Sequence, residues 1–185
     1  MRSLFLAALL ALSQAALAEL REVDRALIAA AESGDAAEVR RLIAAGGNVN
    51  AQDANRISAY LVAGARGRTE VLKLTLAAGA DLKSTNRYGG TALIPACHYG
   101  HVDTVRELLK TKVDVDHVNN LGWTALLEAV ILGDGGAAHT EIVRMLVAHG
   151  AKVNIADREG VTSLQHAKRR GYVSISGILD RAGAR

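Results

Sequence analysis

The chain has 185 residues, a length that suits one ordinary domain. It carries 22 lysines and arginines against 19 aspartates and glutamates, and this near balance argues against a nucleic-acid-binding surface. Half of the residues are apolar but only 3% are aromatic, so the core must consist mostly of small aliphatic side chains. That composition favours helices that pack closely through alanine and leucine.

The first segment, residues 1–18, has the pattern of a cleavable secretory signal. Arg2 supplies a short positive start, a continuous apolar run covers residues 4–12, and an A-x-A pattern of small residues ends at Ala18. We therefore expect cleavage after Ala18, a mature chain that begins at Glu19, and a periplasmic or secreted location. The alternative interpretation is an uncleaved membrane anchor, although the apolar run is short for a span.

The chain beyond this segment offers neither a second apolar span nor a disulfide. No later stretch is long and apolar enough to cross a membrane, so we expect no membrane insertion once the signal is removed. Cys97 is the only cysteine. Because it lies among small residues, we predict a buried hydrophobic side chain rather than a reactive thiol.

An internal repeat of 33 residues organises the rest of the chain. Large apolar residues recur at this interval, and a glycine follows each of them seven positions later. The two series are Leu27, Tyr60, Leu93 and Leu126, and Gly34, Gly67, Gly100 and Gly133. The series resumes at Leu164 and Gly171 after a step of 38, which places five extra residues within 133–138. A period near 33 indicates units that bury their apolar faces by stacking.

Three short motifs recur in register within these units. A G-x-T-x-L pattern occupies residues 89–93, 122–126 and 160–164, a G-H pair lies at 100–101, and G-A-D/K-hydrophobic runs lie at 79–82 and 150–153. These motifs resemble those of the ankyrin-repeat family. The family proline after threonine is absent from every copy, and Pro95 falls instead in the first turn of its own helix, where its cost should be small.

The resemblance implies an all-α repeat solenoid of about five helix–turn–helix repeats joined by hairpin loops. On this basis residues 19–185 form one ankyrin-repeat domain. Its approximate repeats are 23–55, 56–88, 89–121, 122–159 and 160–185.

Local chemistry predicts where the helices begin and end. We expect hydroxyl groups to N-cap the first helix of four repeats, glycines to end two second helices in the left-handed conformation, and polar residues to cap the last repeat. The N-caps are Ser58, Thr91, Thr124 and Thr162, the glycines are Gly79 and Gly150, and the capping residues are Lys168, Arg169, Arg170, Ser174 and Ser176. The glycine-rich insertion at 133–138 should be a mobile loop that bulges outward.

The sequence does not indicate a catalytic site or a metal-binding site. The six histidines are His98, His101, His117, His139, His149 and His166. None is joined to another by a metal-ligand spacing, and we expect His101 and His139 to brace turns instead. Glu128 and His166 occupy equivalent positions in adjacent repeats, where they could meet as an ion pair. We therefore predict no catalytic residues, no cofactor and no metal.

Two classes of function remain. The first is a monomeric, non-catalytic scaffold that binds another protein through hairpin tips and the concave face, which is what the family resemblance implies. The second is a small-ligand-binding protein or an enzyme on the same frame, which would need an enclosed site with convergent polar groups. Scarce aromatic residues and their apolar neighbours suggest the contact surface. The expected contact residues are Arg87, Tyr88, His98, Tyr99, Leu121, Trp123, Ile131 and Leu132. Alternatively, Tyr88 and Trp123 merely pack on neighbouring hairpins.

Overall fold

The computed structural model describes residues 20–185, so the predicted signal segment lies outside the described residues. Ten α-helices in this range form five consecutive helix–turn–helix pairs. They are α1 (Glu22–Ser33), α2 (Ala36–Ala44), α3 (Ala59–Ala65), α4 (Thr69–Ala77), α5 (Leu93–His98), α6 (Val102–Leu109), α7 (Ala125–Ile131), α8 (Ala137–Ala148), α9 (Ser163–Arg169) and α10 (Val173–Arg181). Residues 20–185 contain no strand longer than the isolated antiparallel bridge between Ala156 and Thr162.

The pairs stack into two rows of helices. The first helices of successive pairs contact one another in the order α1, α3, α5, α7 and α9, and the second helices do the same in the order α2, α4, α6, α8 and α10. Each pair also packs its own two helices together. Every repeat therefore buries its apolar face against its neighbours, and the predicted all-α repeat solenoid is confirmed.

The apolar residues of the 33-residue series form the centre of this stack. Leu27, Tyr60, Leu93, Leu126 and Leu164 are all at most 4% exposed. The second helices contribute a matching stripe of side chains that are wholly or almost wholly buried. It includes Val105, Leu108 and Leu109 of α6, and Ile142, Val143 and Leu146 of α8. Ser176 of α10 is also buried, so it does not belong to the polar cap predicted for the last repeat.

Three of the four predicted hydroxyl N-caps are confirmed. Ser58, Thr124 and Thr162 each accept a hydrogen bond from the backbone N–H three residues later. The prediction for Thr91 is wrong, because its Oγ1 is buried without a partner. Pro95 explains the difference: it has no N–H to donate to the Thr91 carbonyl. The N–H of Ile94 therefore donates to that carbonyl instead, at 3.3 Å, and is not available to the hydroxyl.

The insertion in the fourth repeat is structured rather than a free loop. His139 is equivalent to His101, the residue that precedes α6, yet α8 already begins at Ala137, so part of the insertion lengthens the helix by about a turn. The left-handed turn glycine of this repeat is Gly135 (φ 72°), and a side chain there would collide with the ring of Tyr172. The insertion is thus not wholly the loop that the sequence predicted, since its last residues are helical and Gly135 packs against Tyr172. The predicted left-handed glycines that follow α4 and α8, Gly79 and Gly150, are confirmed.

Candidate partner-binding groove

Each hairpin tip is built around one aspartate or asparagine. The Oδ1 atoms of Asp53, Asn86, Asn119 and Asp157 each accept two backbone N–H groups, from the residues two and four positions later. Three of these tips then turn at a left-handed glycine, while Arg56 adopts the same conformation (φ 59°) in the second repeat. The tips are thus alike in backbone and differ mainly in the side chains they present.

A groove runs between these tips and the first helices of repeats two to four. It has a volume of about 520 Å³ and is lined by one wall of tip residues and one wall from α3, α5 and α7. From the tips come Asn55, Ile57, Asn86, Arg87, Tyr88, Gly90, Asn119 and Leu121, and from the helices and their ends come Glu32, Leu61, Val62, Ala65, Arg66, Ile94, Pro95, His98, Tyr99, Glu128 and Leu132.

Six of the eight predicted contact residues line this groove together: Arg87, Tyr88, His98, Tyr99, Leu121 and Leu132. The other two do not. Trp123 is half-buried at the base of its tip, where its backbone N–H donates to Asn119 and its carbonyl accepts from the N–H of that residue. Ile131 is half-buried at the end of α7. The sequence thus predicted most of the residues that line the groove but not the positions of Trp123 and Ile131.

Aromatic rings cover both walls of the groove. The ring of Tyr99 stacks on that of His98 with 4.2 Å between centroids and 13° between planes. On the opposite wall the guanidinium of Arg87 lies 4.8 Å above the ring of Tyr88 and donates a hydrogen bond of 2.7 Å to its hydroxyl. These contacts hold flat, partly exposed surfaces at fixed positions, which lowers the entropy lost on binding.

Val62, Pro95 and Glu128 take the same position in α3, α5 and α7, and we call this part of the groove lining its floor. Glu128 is the one buried acid there. Asn119 donates a hydrogen bond of 2.9 Å from Nδ2 to Oε1 of Glu128. The other oxygen, Oε2, lies 3.8 Å from Nδ1 of His98, which is beyond hydrogen-bonding distance. Burial raises the pKa of Glu128 to about 7, and the Asn119 hydrogen bond opposes that rise. Burial also lowers the pKa of His98, which favours its neutral form.

The expected ion pair between Glu128 and His166 is wrong. His166 instead pairs with Asp157 in the hairpin tip that precedes its helix, with 2.6 Å between Nε2 and Oδ2. Asn119 and Glu128 are likewise nine residues apart, one in a hairpin tip and the other in the helix that follows it. Contacts of this kind therefore join a tip to the next helix along the chain and do not join the first helices of adjacent repeats. The sequence signal was present but missed, since the aspartate or asparagine of each tip recurs with the repeat period.

Two histidines and the cysteine contribute to the fold. Nε2 of His139 lies 2.9 Å from the carbonyl of His98, and His101 makes the equivalent contact with Ala65, so the predicted turn-bracing role is confirmed. Cys97 is wholly buried, as predicted, and burial raises the pKa of its thiol. Across residues 20–185 we find no group of three histidine, cysteine or acidic side chains placed to hold a metal, and no helix long and apolar enough to span a membrane.

Known proteins with similar sequences and structures share one repeat type. The family described as ankyrin repeats (3 copies) matches residues 59–157. An ankyrin repeat domain from Acinetobacter baumannii AYE is 49% identical with a TM-score of 0.85, covering 94% of this chain and 92% of that one. The ankyrin repeat protein EF0377 is 42% identical with a TM-score of 0.81, covering 84% and 79%. The Escherichia coli K12 ankyrin repeat protein YahD is 42% identical over 57 residues, only 28% of its own length.

Proposed function

We propose that this chain, which belongs to the ankyrin-repeat family, is a non-catalytic scaffold. Its proposed binding site for another protein is the groove of repeats two to four. Ankyrin repeats are generally protein-interaction scaffolds. The frame is rigid and repetitive, and specificity therefore resides in the side chains at the tips and along the first helices.

One observation carries this proposal. Six large hydrophobic side chains are exposed within residues 20–185, and four of them line the groove. These four are Tyr88, Tyr99, Leu121 and Leu132, and their exposed fractions range from 42% to 59%. Exposed apolar side chains that converge on one concave surface, with aromatic and arginine residues among them, are typical of a protein interface.

A matched pair of double variants tests the groove. The first, Tyr99→Ser with Leu132→Ser, removes two exposed apolar groups from the groove. The control, Val118→Ser with Val173→Ser, removes two that lie outside it and are 47% and 82% exposed. Partners are captured from the exported fraction of the source cell, identified by crosslinking and mass spectrometry, and their affinity is then measured.

We expect the groove variant to lose at least tenfold in affinity for the captured partner while its thermal stability stays close to that of the wild type, since hot-spot residues contribute about 2 kcal/mol or more. The control variant should bind as the wild type does. Equal loss in both variants, or loss only in the control, would place the interface elsewhere.

Export is the second part of the proposal. The charged start, apolar run and small residues of 1–18 support removal by signal peptidase after Ala18. N-terminal sequencing of native protein from the periplasmic or secreted fraction should then begin at Glu19. Intact Met1 on protein recovered from the cytosol would contradict it.

A further inference from the structure

Glu128 has an incomplete set of partners. Its side chain is 7% exposed, and only one of its two carboxylate oxygens accepts a hydrogen bond. Oε2 has no hydrogen-bond donor within the described residues, and it belongs to a side chain that lines the groove. Buried carboxylates ordinarily have a cation or several donors around them. Oε2 is not among the fully buried polar atoms that lack a partner, so it is accessible from the groove to a group that comes from outside the chain.

No cation within residues 20–185 neutralises this acid. Burial lowers the pKa of the neighbouring His98 and so favours its neutral form, and its Nδ1 lies 3.8 Å from Oε2. Arg66 lies in the same groove but forms an ion pair of 2.6 Å with Glu32. Arg87 donates to the hydroxyl of Tyr88 and lies over its ring. Both guanidinium groups are therefore already engaged.

The same helix position is apolar or differently paired in the other repeats. Val62 and Pro95 occupy it in repeats two and three and line the groove floor with Glu128. In repeat five the position is His166, which is bound to Asp157. A single acid in an otherwise apolar floor fixes where along the groove a charged ligand group can sit. A shift of one repeat toward the N-terminus would place that group on Pro95, and a shift of two repeats would place it on Val62.

We propose that Glu128 receives a basic side chain, an arginine or a lysine, from the protein partner. This inference rests on the groove being the interface, as proposed above. The incoming cation would find Oε2 on the floor and the stacked rings of Tyr99 and His98 on the adjacent wall. A guanidinium or ammonium group binds well to a carboxylate and to the face of an aromatic ring, and this part of the groove offers both.

Peptide display tests this assignment and does not require the natural partner to be identified. A random 12-residue library is selected on the chain that begins at Glu19, with Tyr99→Ser as a counter-selection for binding outside the groove. Selected peptides are synthesised with each basic residue in turn replaced by glutamine. Affinities are measured against the wild type, Glu128→Gln and the control Glu159→Gln, which removes an exposed acid from a hairpin tip.

We expect groove-dependent peptides to share one arginine or lysine, whose replacement weakens binding to the wild type at least tenfold. The same replacement should have little effect on binding to Glu128→Gln, while Glu159→Gln behaves as the wild type. The asparagine hydrogen bond survives in Glu128→Gln because the new amide keeps an oxygen at Oε1, so misfolding does not confuse the comparison.

The outcomes separate the two proposals. Groove-dependent peptides that lack a shared basic residue, or that bind Glu128→Gln and the wild type equally well, contradict the role of Glu128 alone. A selection in which no peptide survives the Tyr99→Ser counter-selection contradicts the groove itself and with it this inference.

Dependence on pH gives an independent readout. A cation binds the ionised carboxylate, and a pKa of about 7 leaves most of the Glu128 population protonated at pH 6 and ionised at pH 8. Affinity of a basic peptide should therefore be roughly tenfold weaker at pH 6 than at pH 8. His98 faces the same carboxylate from α5 and is itself influenced by His139 of α8. The pH effect must accordingly vanish in Glu128→Gln and persist in His98→Asn; the reverse pattern would overturn the assignment.

Discussion

Replacement of Glu128 by glutamine should make the free protein more stable, and more so at high pH. Burial raises the pKa of this carboxyl from its ordinary 4.5 to about 7 in the folded chain. The folded state therefore holds the proton more tightly than the unfolded state does. Stability is unaffected well below pH 4.5, falls as the pH rises through the window between the two values, and carries the whole penalty above pH 7.

The magnitude follows from those two values. Their difference of about 2.5 corresponds to about 3 kcal/mol once both states are fully ionised. At pH 8 nearly all of this penalty is present, and at pH 5 less than about 1 kcal/mol of it remains. The glutamine amide adds its own cost, because its Nε2 lacks an acceptor in the position of Oε2, but that cost does not depend on pH. The stability difference between variant and wild type should thus grow by roughly 2 to 3 kcal/mol from pH 5 to pH 8.

Urea denaturation of the chain that begins at Glu19 measures this quantity directly. The wild type, Glu128→Gln and the exposed control Glu159→Gln are unfolded at both pH values, and the free energies are extrapolated to water. A pH-dependent gain confined to Glu128→Gln supports a carboxyl that is desolvated without compensation. A difference that changes by less than about 0.5 kcal/mol between the two pH values would refute the reasoning, because the carboxyl would then be as well solvated as an ordinary one.

Three further predictions concern groups with defined partners. Thr91→Val should stabilise the chain by about 1 kcal/mol because it removes a buried hydroxyl with no partner. Thr124→Val should instead destabilise it by about 1 kcal/mol because it removes an N-cap. Urea denaturation compares the two variants, and a change in unfolding free energy of the same sign in both would contradict the different capping. Cys97 should react with a thiol reagent in urea but not in the native state, where it is wholly buried; rapid native labelling would contradict this. Tyr172→Phe should cost about 1 kcal/mol through the lost 2.9 Å hydrogen bond to the Gly133 carbonyl, with the exposed Val173→Ser as a neutral control.

The repeating part of the fold was predictable because each repeat restates it. The period of 33 residues places Leu27, Tyr60, Leu93 and Leu126 at equivalent positions of successive repeats. Their common burial therefore follows from the period alone. The hydroxyl caps were also predictable, because an N-cap depends only on a few residues of local sequence. Thr91 is the exception, and its failure has a local cause in Pro95, whose missing N–H diverts the hydrogen bond of Ile94.

The groove was predictable in its composition but not in its geometry. The family resemblance placed Tyr88 and Tyr99 at positions that ankyrin repeats leave free, with Leu121 and Leu132 as apolar neighbours, and these four do line one groove. It did not show that Trp123 lies outside the groove, because the direction of a tip side chain depends on how the backbone closes onto Asn119. Nor did spacing reveal the hydrogen bond between Asn119 and Glu128. That contact requires the hairpin tip to fold back over α7, the helix that follows it.

Departures from the period mark the places where this chain differs from a generic stack. Pro95, Glu128 and the lengthened α8 all break the pattern, and all three lie in repeats three and four. Pro95 leaves the hydroxyl of Thr91 without a hydrogen-bond partner. Glu128 itself has one carboxylate oxygen, Oε2, without a hydrogen-bond donor among the described residues. A stack selected for stability alone would have replaced both with apolar groups, since neither defect is required by the fold. The buried acid lines the groove where exposed aromatic residues converge, so its cost to the free protein is the cost that a basic group of the partner can remove on binding.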